Sequence, residues 1–352
     1  EARAMTASYS PQIVQSALTD PSRVCTDMGG DAAGIGQTLG ITDRARTDTI
    51  ALQKYVQFFE VSARTLRRPD FGWTVGAEFD LRNLGDFGPF ILEAPTLGAA
   101  LSLFRKSFAM IQSDSEMDLT IDGDAAVLSY RILDLDIWPR QQDAELTLSV
   151  FHQLIKSIAG PGWRPSALTF EHGTSAVWRN ARTGPHCTIL CDAPTNSLRF
   201  PARLLDLPMG DAPSQPVGAL SQAITREAWA RERDAPVAIR VRREVVRRLG
   251  RDSLDQTQIA NAIGYSRRTL RRRLEAENAS FSAILSDCRT RYAEIALHLS
   301  NRPLSEISEH LGYSSVSAFE RAFKLCTGMT PARYRKQSRA PGTDATCSEA
   351  CA

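Results

Sequence analysis

The stretch IANAIGYS at residues 259–266 returns in altered form as ISEHLGYS at residues 307–314, and each matched position lies 48 residues further along. In both copies an apolar-periodic helix is followed by a turn containing glycine and then by a second amphipathic segment, at Ser266 to Glu277 and at Ser314 to Cys326. Two helices joined by a short glycine turn are the sequence form of a helix-turn-helix, whose second helix enters the DNA major groove. The tandem repeat therefore predicts an all-α, double helix-turn-helix DNA-binding domain.

The first copy shows why these residue types are present. Asp255 is placed to cap the first helix, and Gln258 three positions on predicts a capping box. Ile259 and Ile263 lie four residues apart and are expected to face inward. Gly264 supplies the backbone freedom that ends the helix.

The second helix of each copy has an apolar stripe and an exposed face. Leu270 and Leu274 form the stripe in the first copy, as Phe319 and Phe323 do in the second. The candidate DNA-binding residues are those expected on or beside the exposed faces: Arg267, Arg268, Arg271, Arg272, Ser315, Val316, Ser317, Glu320 and Arg321. Arginine suits both bidentate binding of guanine and contact with phosphate. The alternative is a solvated basic helix in a helical bundle.

Residues 236–339 resemble the DNA-binding domain of AraC/XylS-type transcriptional regulators. The resemblance rests on RTLRRRL at 268–274, on LSEI at 304–307, on LGYS at 311–314, and on SAFERAFK at 317–324 followed by TGMTP at 327–331. It implies two recognition helices in successive major-groove segments, held apart by a linker helix at Phe281 to Leu299. Arg268, Arg271, Arg272, Val316, Ser317 and Arg321 match the family's base-reading positions. The arginine-dense first helix is expected to contact phosphates as well. The resemblance also implies an activator that has RNA polymerase as a partner.

Charge is divided unevenly along the chain. Residues 231–340 hold 22 Lys+Arg and 12 Asp+Glu, a net charge of +10, while the remaining residues hold 20 and 28, a net charge of −8. Neutralisation of phosphates accounts for much of protein–DNA affinity. A basic DNA-binding domain joined to an acidic domain is therefore expected.

The chain of 352 residues is long enough for two domains. We predict an effector-binding and dimerisation domain at 1–206, a linker and connecting helix at 207–235, the DNA-binding domain at 236–339, and a disordered tail at 340–352. The linker begins at the Pro-rich stretch Leu207 to Pro216, and Val217 to Asp234 is expected to be the connecting helix. No apolar run is long enough for a membrane span, and seven cysteines lack framework spacing, so a reducing cytoplasm is expected.

The N-terminal region predicts an α+β domain with a mostly antiparallel sheet. Helical spacing covers much of residues 11–66, notably Thr49 to Leu66, and recurs at Thr96 to Ile111 and Ala144 to Ala159. Alternation around Asp122-Gly123 predicts a hairpin between Glu116 and Leu133. Three further strands are expected, at Ala167 to Glu171, His186 to Cys191 and Ser197 to Phe200.

This region also resembles the effector-binding and dimerisation domain of one AraC-family branch. The matching stretches are PDFG at 69–72, APTLGAAL at 94–101 and LRFP at 198–201. They imply a homodimer that responds to a small-molecule effector, and they identify neither the effector nor its binding residues.

No catalytic, cofactor or metal motif stands out in the N-terminal region. His172, His186, Cys187 and Cys191 could suggest a metal centre, but cysteines inside a strand are more often small buried hydrophobes. Trp73, Trp138, Trp163 and Trp178 could line a pocket, although core packing is the commoner role. Two other classes stay open: an enzyme carrying a DNA-targeting domain, and a DNA-binding protein whose N-terminal domain only dimerises.

Overall fold

The computed structural model describes residues 9–41, 49–85, 87–173, 184–210 and 235–338. The chain divides into two compact units, with the division between Ala235 and Pro236. The predicted connecting helix at Val217 to Asp234 and the predicted tail at 340–352 lie outside the described residues. Among the helices that are described, none combines the length and the apolar character needed to cross a membrane.

The described strands of the N-terminal unit are β1 (Gln12–Val14), β2 (Thr49–Ala51), β3 (Ser115–Asp122), β4 (Ala125–Ile132), β5 (Ala167–Thr169), β6 (Thr188–Leu190) and β7 (Asn196–Pro201). Five of them form a sheet with the strand order β3-β4-β7-β5-β6. All neighbouring pairs in it are antiparallel except β5 and β6, which are parallel. A separate two-stranded sheet joins β1 to β2. The expected mostly antiparallel α+β architecture is confirmed.

Seven α-helices in the described residues complete this unit. They are α1 (Thr19–Asp27), α2 (Ala32–Thr38), α3 (Leu52–Leu66), α4 (Phe71–Glu78), α5 (Phe87–Leu92), α6 (Leu97–Ile111) and α7 (Gln141–Ala159). Helix α7 packs against α3, α4 and strands β4 and β7, while α6 packs against β3. The core therefore lies between the sheet and the helices, where Leu128, Phe151 and Phe200 are buried.

Several predicted elements are found where the sequence pattern placed them. The side chain of Thr96 accepts a hydrogen bond from the backbone N–H of Ala99 and caps α6, and the predicted hairpin turns at Gly123, whose φ is +58°. The start of α3 differs from the prediction, because Thr49–Ala51 is a strand paired with Gln12–Val14. Both segments were expected to be helical. Cross-strand pairing with a distant segment overrides helical spacing here, and local periodicity cannot show such a partner.

Two glycines let α4 and α7 approach closely. A Cβ atom on Gly72 would lie 2.1 Å from the backbone oxygen of Gln142, and one on Gly76 would lie 2.5 Å from that of Leu146. The same contact is hydrogen-bonded, because the N–H of Gly72 donates to Gln142 Oε1 at 2.7 Å and the Ser149 hydroxyl donates to the carbonyl of Trp73 at 2.8 Å. The PDFG stretch is thus a packing motif, and Gly72 is its contact point.

We expect Gly72→Ala to destabilise the N-terminal unit by about 2 kcal/mol or more, because the added methyl group meets rigid backbone. Gly36→Ala is the matched control, since Gly36 is also helical but has open space where its Cβ would lie. That change should stabilise the fold by a few tenths to about 1 kcal/mol. Urea unfolding followed by tryptophan fluorescence measures both. Equal stabilities for the two variants would contradict the close packing of α4 on α7.

The C-terminal unit is all-α in its described residues, as expected. Its helices are α8 (Val237–Arg248), α9 (Gln256–Ala262), α10 (Arg267–Ala276), α11 (Phe281–Leu299), α12 (Leu304–His310), α13 (Val316–Thr327) and α14 (Pro331–Ser338). Helix α11 has the bounds predicted for the linker helix and contacts α8, α13 and α14. Both carboxylate oxygens of Glu277, at the end of α10, accept backbone N–H groups at the start of α8 at 2.8 Å. This contact fixes the end of the first predicted recognition helix against the start of the unit.

Candidate nucleic-acid interface and N-terminal cavity

The two predicted helix-turn-helix units have the same turn geometry. Gly264 and Gly312 have φ values of +82° and +69°, which favour glycine. The following tyrosine N–H closes each turn on the preceding helix: Tyr265 donates to the carbonyl of Ala260 at 2.9 Å, and Tyr313 donates to that of Ser308 at 3.0 Å. The repeat in sequence is therefore a repeat in backbone structure.

An arginine from a neighbouring helix holds each turn. Arg240 of α8 donates to the Ile263 carbonyl at 2.6 Å and lies over the ring of Tyr265 at 5.1 Å from its centroid. Arg289 of α11 donates to the carbonyls of Leu311 at 2.8 Å and Gly312 at 3.1 Å and lies 4.6 Å from the centroid of the Tyr313 ring. These are charge-assisted hydrogen bonds combined with cation–π contacts.

Sequence reasoning missed this pair of arginines. The signal was present, because Arg240 and Arg289 precede the tyrosines of the repeat by 25 and 24 residues. Both arginines lie outside the repeated stretches themselves, on the helices that precede them.

The second turn is one residue longer than the first. The caps are Ser266 for α10, which accepts from the N–H of Thr269, and Ser315 for α13, which accepts from that of Ala318. The spacing between equivalent residues of the two copies is thus 48 up to the turn and 49 beyond it. The second helix of the second copy, α13, begins after Ser315 rather than at Ser314 as predicted. Leu270 and Leu274 accordingly correspond to Phe319 and Phe323, and all four are buried.

With the spacing of 49, eight of the nine candidate DNA-binding residues fall into four equivalent pairs, and Ser315 corresponds to the cap residue Ser266. Arg267, Arg268, Arg271 and Arg272 correspond to Val316, Ser317, Glu320 and Arg321. The four arginines, Ser315, Ser317 and Arg321 are exposed, while Val316 and Glu320 are half-buried. The structure therefore places each set on one helix face at matched positions, with arginine common to both sets only at 272 and 321.

Two of the arginines have partners within the C-terminal unit. Arg271 pairs with Glu275 one turn along α10 at 2.8 Å, and Arg267 donates to Gln256 at 3.2 Å. The Arg271–Glu275 pair is exposed on both sides, so it is weak and can open for another anion. No hydrogen bond or ion pair joins Arg268, Arg272 or Arg321 to any other residue that the structure describes.

The predicted capping box at the start of α9 is only half right. Asp255 caps α9, accepting from Thr257 and Gln258 at 2.8 and 3.1 Å, and these backbone bonds lower the pKa of its carboxyl. Gln258 does not return the bond, however. Its side-chain oxygen accepts from Arg248, and Ser253 accepts the N–H of Asp255 instead.

A cavity of about 440 Å³, including its open mouth, lies in the N-terminal unit between the first strand, α3, α6 and α7. Ten of its fourteen lining residues are apolar, and four are polar: Tyr55, Gln112, Asp143 and Thr147. Of the tryptophans considered as pocket residues, the three that the structure describes, Trp73, Trp138 and Trp163, do not line it. Trp73 and Trp163 instead contact His152 on either side, with ring centroids 5.5 Å apart in each case, and Trp178 lies outside the described residues.

Asp143 is the charged residue in the cavity wall, and its side chain is almost fully buried. Its Oδ2 accepts the hydroxyl of Tyr130 at 2.7 Å, and that hydroxyl in turn accepts from Gln112 at 2.7 Å. Its Oδ1 has no hydrogen-bond partner among the described residues. Burial raises the pKa of Asp143 to about 6, partly opposed by the Tyr130 bond and by the charge of Arg140. Sequence reasoning gave no signal for this residue, because its partners are distant in the chain.

The raised pKa predicts a pH-dependent difference between the wild type and Asp143→Asn. In the folded state the Asp143 carboxyl keeps its proton up to about pH 6, whereas in the unfolded chain the same carboxyl loses it near pH 3.8. The wild type should therefore lose up to about 3 kcal/mol of unfolding free energy relative to the variant as the pH rises from 4 to 7. Urea unfolding of both proteins at several pH values measures this. A difference that stays constant with pH would show that Asp143 ionises normally in the fold.

The residues considered for a metal centre are not assembled into one in the described part of the chain. Cys187 and Cys191 flank the strand β6 rather than lying within it, and both are half-buried. Burial raises the pKa of Cys187 to about 11, so its thiol stays protonated at neutral pH. His172 lies beside Glu145, with Nε2 and Oε1 3.5 Å apart, and burial lowers its pKa.

The duplicated turn, the exposed basic helix face and the separate α+β unit define a helix-turn-helix transcription regulator with a second, N-terminal domain. Comparison with known families agrees. Residues 29–209 match the arabinose-binding domain of AraC transcription regulators, and residues 259–337 match a helix-turn-helix domain. The chain belongs to the AraC family of DNA-binding transcription regulators.

The chain is similar to known regulators over most of its length. The chain is 28% identical to the HTH-type transcriptional regulator VirS of Mycobacterium tuberculosis over 295 residues, which cover 81% of this chain and 84% of VirS. It is 26% identical to the ornithine utilization regulator of Pseudomonas aeruginosa over 269 residues, 76% of this chain and 79% of that one. Among solved structures, the transcriptional regulator CdpR of Pseudomonas aeruginosa is 21% identical with a TM-score of 0.41, covering 87% of this chain and 96% of CdpR.

Proposed function

We propose that the chain is a transcription activator that binds its operator through α10 and α13 and responds to a small molecule bound by the N-terminal unit. The observation that carries the proposal is the pair of equivalent recognition helices, each behind a glycine turn held by an arginine and each with its predicted contact residues on one face. The proposed DNA contacts are Arg267, Arg268, Arg271, Arg272, Ser315, Val316, Ser317, Glu320 and Arg321.

Different contacts are expected from the two helices. Four neighbouring arginines on α10 can neutralise several phosphates, and one or two of them can also bind guanine. On α13 the short side chains of Ser315 and Ser317 and the methyl groups of Val316 suit base edges and thymine methyl groups. Arg321 can then contact guanine or phosphate. In this proposal α10 supplies more of the salt-dependent affinity and α13 more of the sequence discrimination.

The effector response is supported by the cavity in the N-terminal unit and by the match to an arabinose-binding domain. Dimerisation through this unit and contact with RNA polymerase follow from the resemblance to the family. A protein whose N-terminal unit only dimerises is the second candidate. It differs from the first in one measurable respect, since no small molecule would then change its DNA binding or transcription.

We expect Arg272→Ala to weaken operator binding by about tenfold or more, because Arg272 is exposed and has no described partner to compete with DNA. If Arg272 contacts a base, the loss should be confined to the operator, whereas a phosphate contact should weaken binding to all sequences. Arg82→Ala is the control: it removes the same charge from an exposed arginine of the N-terminal unit. Fluorescence anisotropy with operator and random duplexes measures both. Equal affinities for Arg272→Ala and the control would remove α10 from the interface.

The two halves should also separate by function. A fragment from Pro216 to Ala352 should bind DNA as a monomer with steep salt dependence, because the net charge of +10 lies in this half. Its affinity for a two-site operator should fall by about a hundredfold or more, since it lacks the linkage between two binding modules. The fragment 1–216 should self-associate without binding DNA. Sedimentation and anisotropy test both fragments, and a dimeric C-terminal fragment would contradict this division.

A further inference from the structure

The cavity in the N-terminal unit offers one unsatisfied acceptor in an apolar setting. In its wall Phe104 packs against both Phe151 and Phe108, with ring centroids 4.9 and 5.8 Å apart. Asp143 lines the cavity and is 1% exposed as a residue, and its Oδ1 is buried with no hydrogen-bond partner among the described residues. A buried carboxylate oxygen without a partner costs free energy, so a ligand that supplies the missing donor is stabilised there.

The neighbouring polar groups do not supply that donor. Arg140 is engaged elsewhere, because it donates to Glu171 at 2.8 Å and to the Ile132 carbonyl at 2.9 Å. Both donor contacts of the Gln112 amide nitrogen are also occupied, by Ser115 at 2.6 Å and by the Tyr130 hydroxyl at 2.7 Å. Tyr130 in turn satisfies only the other carboxylate oxygen. The second oxygen of this cavity-lining side chain therefore has no donor among the described residues.

We propose that the cavity binds a small amine with an apolar or aromatic body, whose ammonium group donates to Asp143 Oδ1 while its body packs against the phenylalanine rings. This deepens the effector response proposed above and rests on it.

A sugar fits this cavity poorly, although the matched family is described as arabinose-binding. A pentose presents a hydroxyl on nearly every carbon, and each buried hydroxyl needs a partner. The ten apolar lining residues offer none, so the hydroxyls of a pentose depend on four polar side chains, Tyr55, Gln112, Asp143 and Thr147, of which Gln112 and Asp143 are already partly bonded within the wall. An anionic ligand would be repelled by the ionised Asp143.

The test uses the full chain and three amines, each paired with the alcohol of the same skeleton: phenethylamine with 2-phenylethanol, tryptamine with tryptophol, and hexylamine with hexanol. Arabinose completes the set. Thermal unfolding is followed by tryptophan fluorescence for the phenyl, hexyl and arabinose samples and by circular dichroism for the indole pair. At least one amine should raise the melting temperature by about 2 °C or more at saturating concentration. Its alcohol and arabinose should give a much smaller shift.

Two variants on the same helix test whether the shift in melting temperature depends on Asp143. Asp143→Asn should abolish the shift given by the amine. Glu145→Gln should retain it, because Glu145 is equally buried on α7 and also has an unpartnered oxygen, but does not line the cavity. Circular dichroism and operator binding check that both variants are folded.

The proposal is overturned if no amine shifts the melting temperature, if an amine and its alcohol act alike, or if the shift survives in Asp143→Asn. A larger shift with arabinose overturns it as well. Failure of the effector response is a separate outcome. An amine that binds in an Asp143-dependent manner, yet leaves operator affinity and reporter transcription unchanged, supports the ligand class and removes the regulatory role.

Discussion

The C-terminal unit depends on the contact between an arginine, a tyrosine ring and the carbonyls of a glycine turn. A helix ends with carbonyls that lack partners within the helix. In the first helix-turn-helix the guanidinium group of Arg240 binds one such carbonyl, and in the second that of Arg289 binds two. The same group packs on the tyrosine that follows the glycine. Because these arginines belong to α8 and α11, each turn is held by a helix that lies outside its own helix-turn-helix.

The double helix-turn-helix could be predicted from the sequence in detail because its determinants are local. Helical spacing at Ile259, Leu270 and Phe319, the glycines at 264 and 312, and the bounds of α11 all depend on residues a few positions apart. What sequence comparison missed was the extra residue in the second turn. Gly312 and Tyr313 align with the first copy, but the cap moves from Ser314 to Ser315, and a constant spacing cannot reveal where a single residue has been inserted.

The N-terminal unit was harder to predict because its determinants are distant in the chain. The strand at Thr49–Ala51 exists because Gln12–Val14 pairs with it. Asp143 lies on a helix that was predicted from its spacing, but its environment is made by Tyr130, Gln112 and the rings of α6. A carboxylate buried in this environment lowers the free energy of unfolding at neutral pH, whereas an amide or an apolar side chain at the same position would not. Residues of this kind are commonly retained for function rather than for folding.

The inequality between the two recognition helices has a consequence for the DNA. At matched positions α10 has Arg267, Arg268, Arg271 and Arg272, whereas α13 has valine, serine, glutamate and one arginine. On the proposed interface, the operator bound by α10 and α13 is asymmetric, because its two segments are contacted in different ways. The DNA segment bound by α10 can change in base sequence while its phosphate contacts persist. The segment bound by α13 cannot change in this way, because its contacts are to bases. The direction of the operator then fixes the orientation of the bound protein. Inverting the operator beside a promoter therefore reverses the orientation of the regulator relative to that promoter.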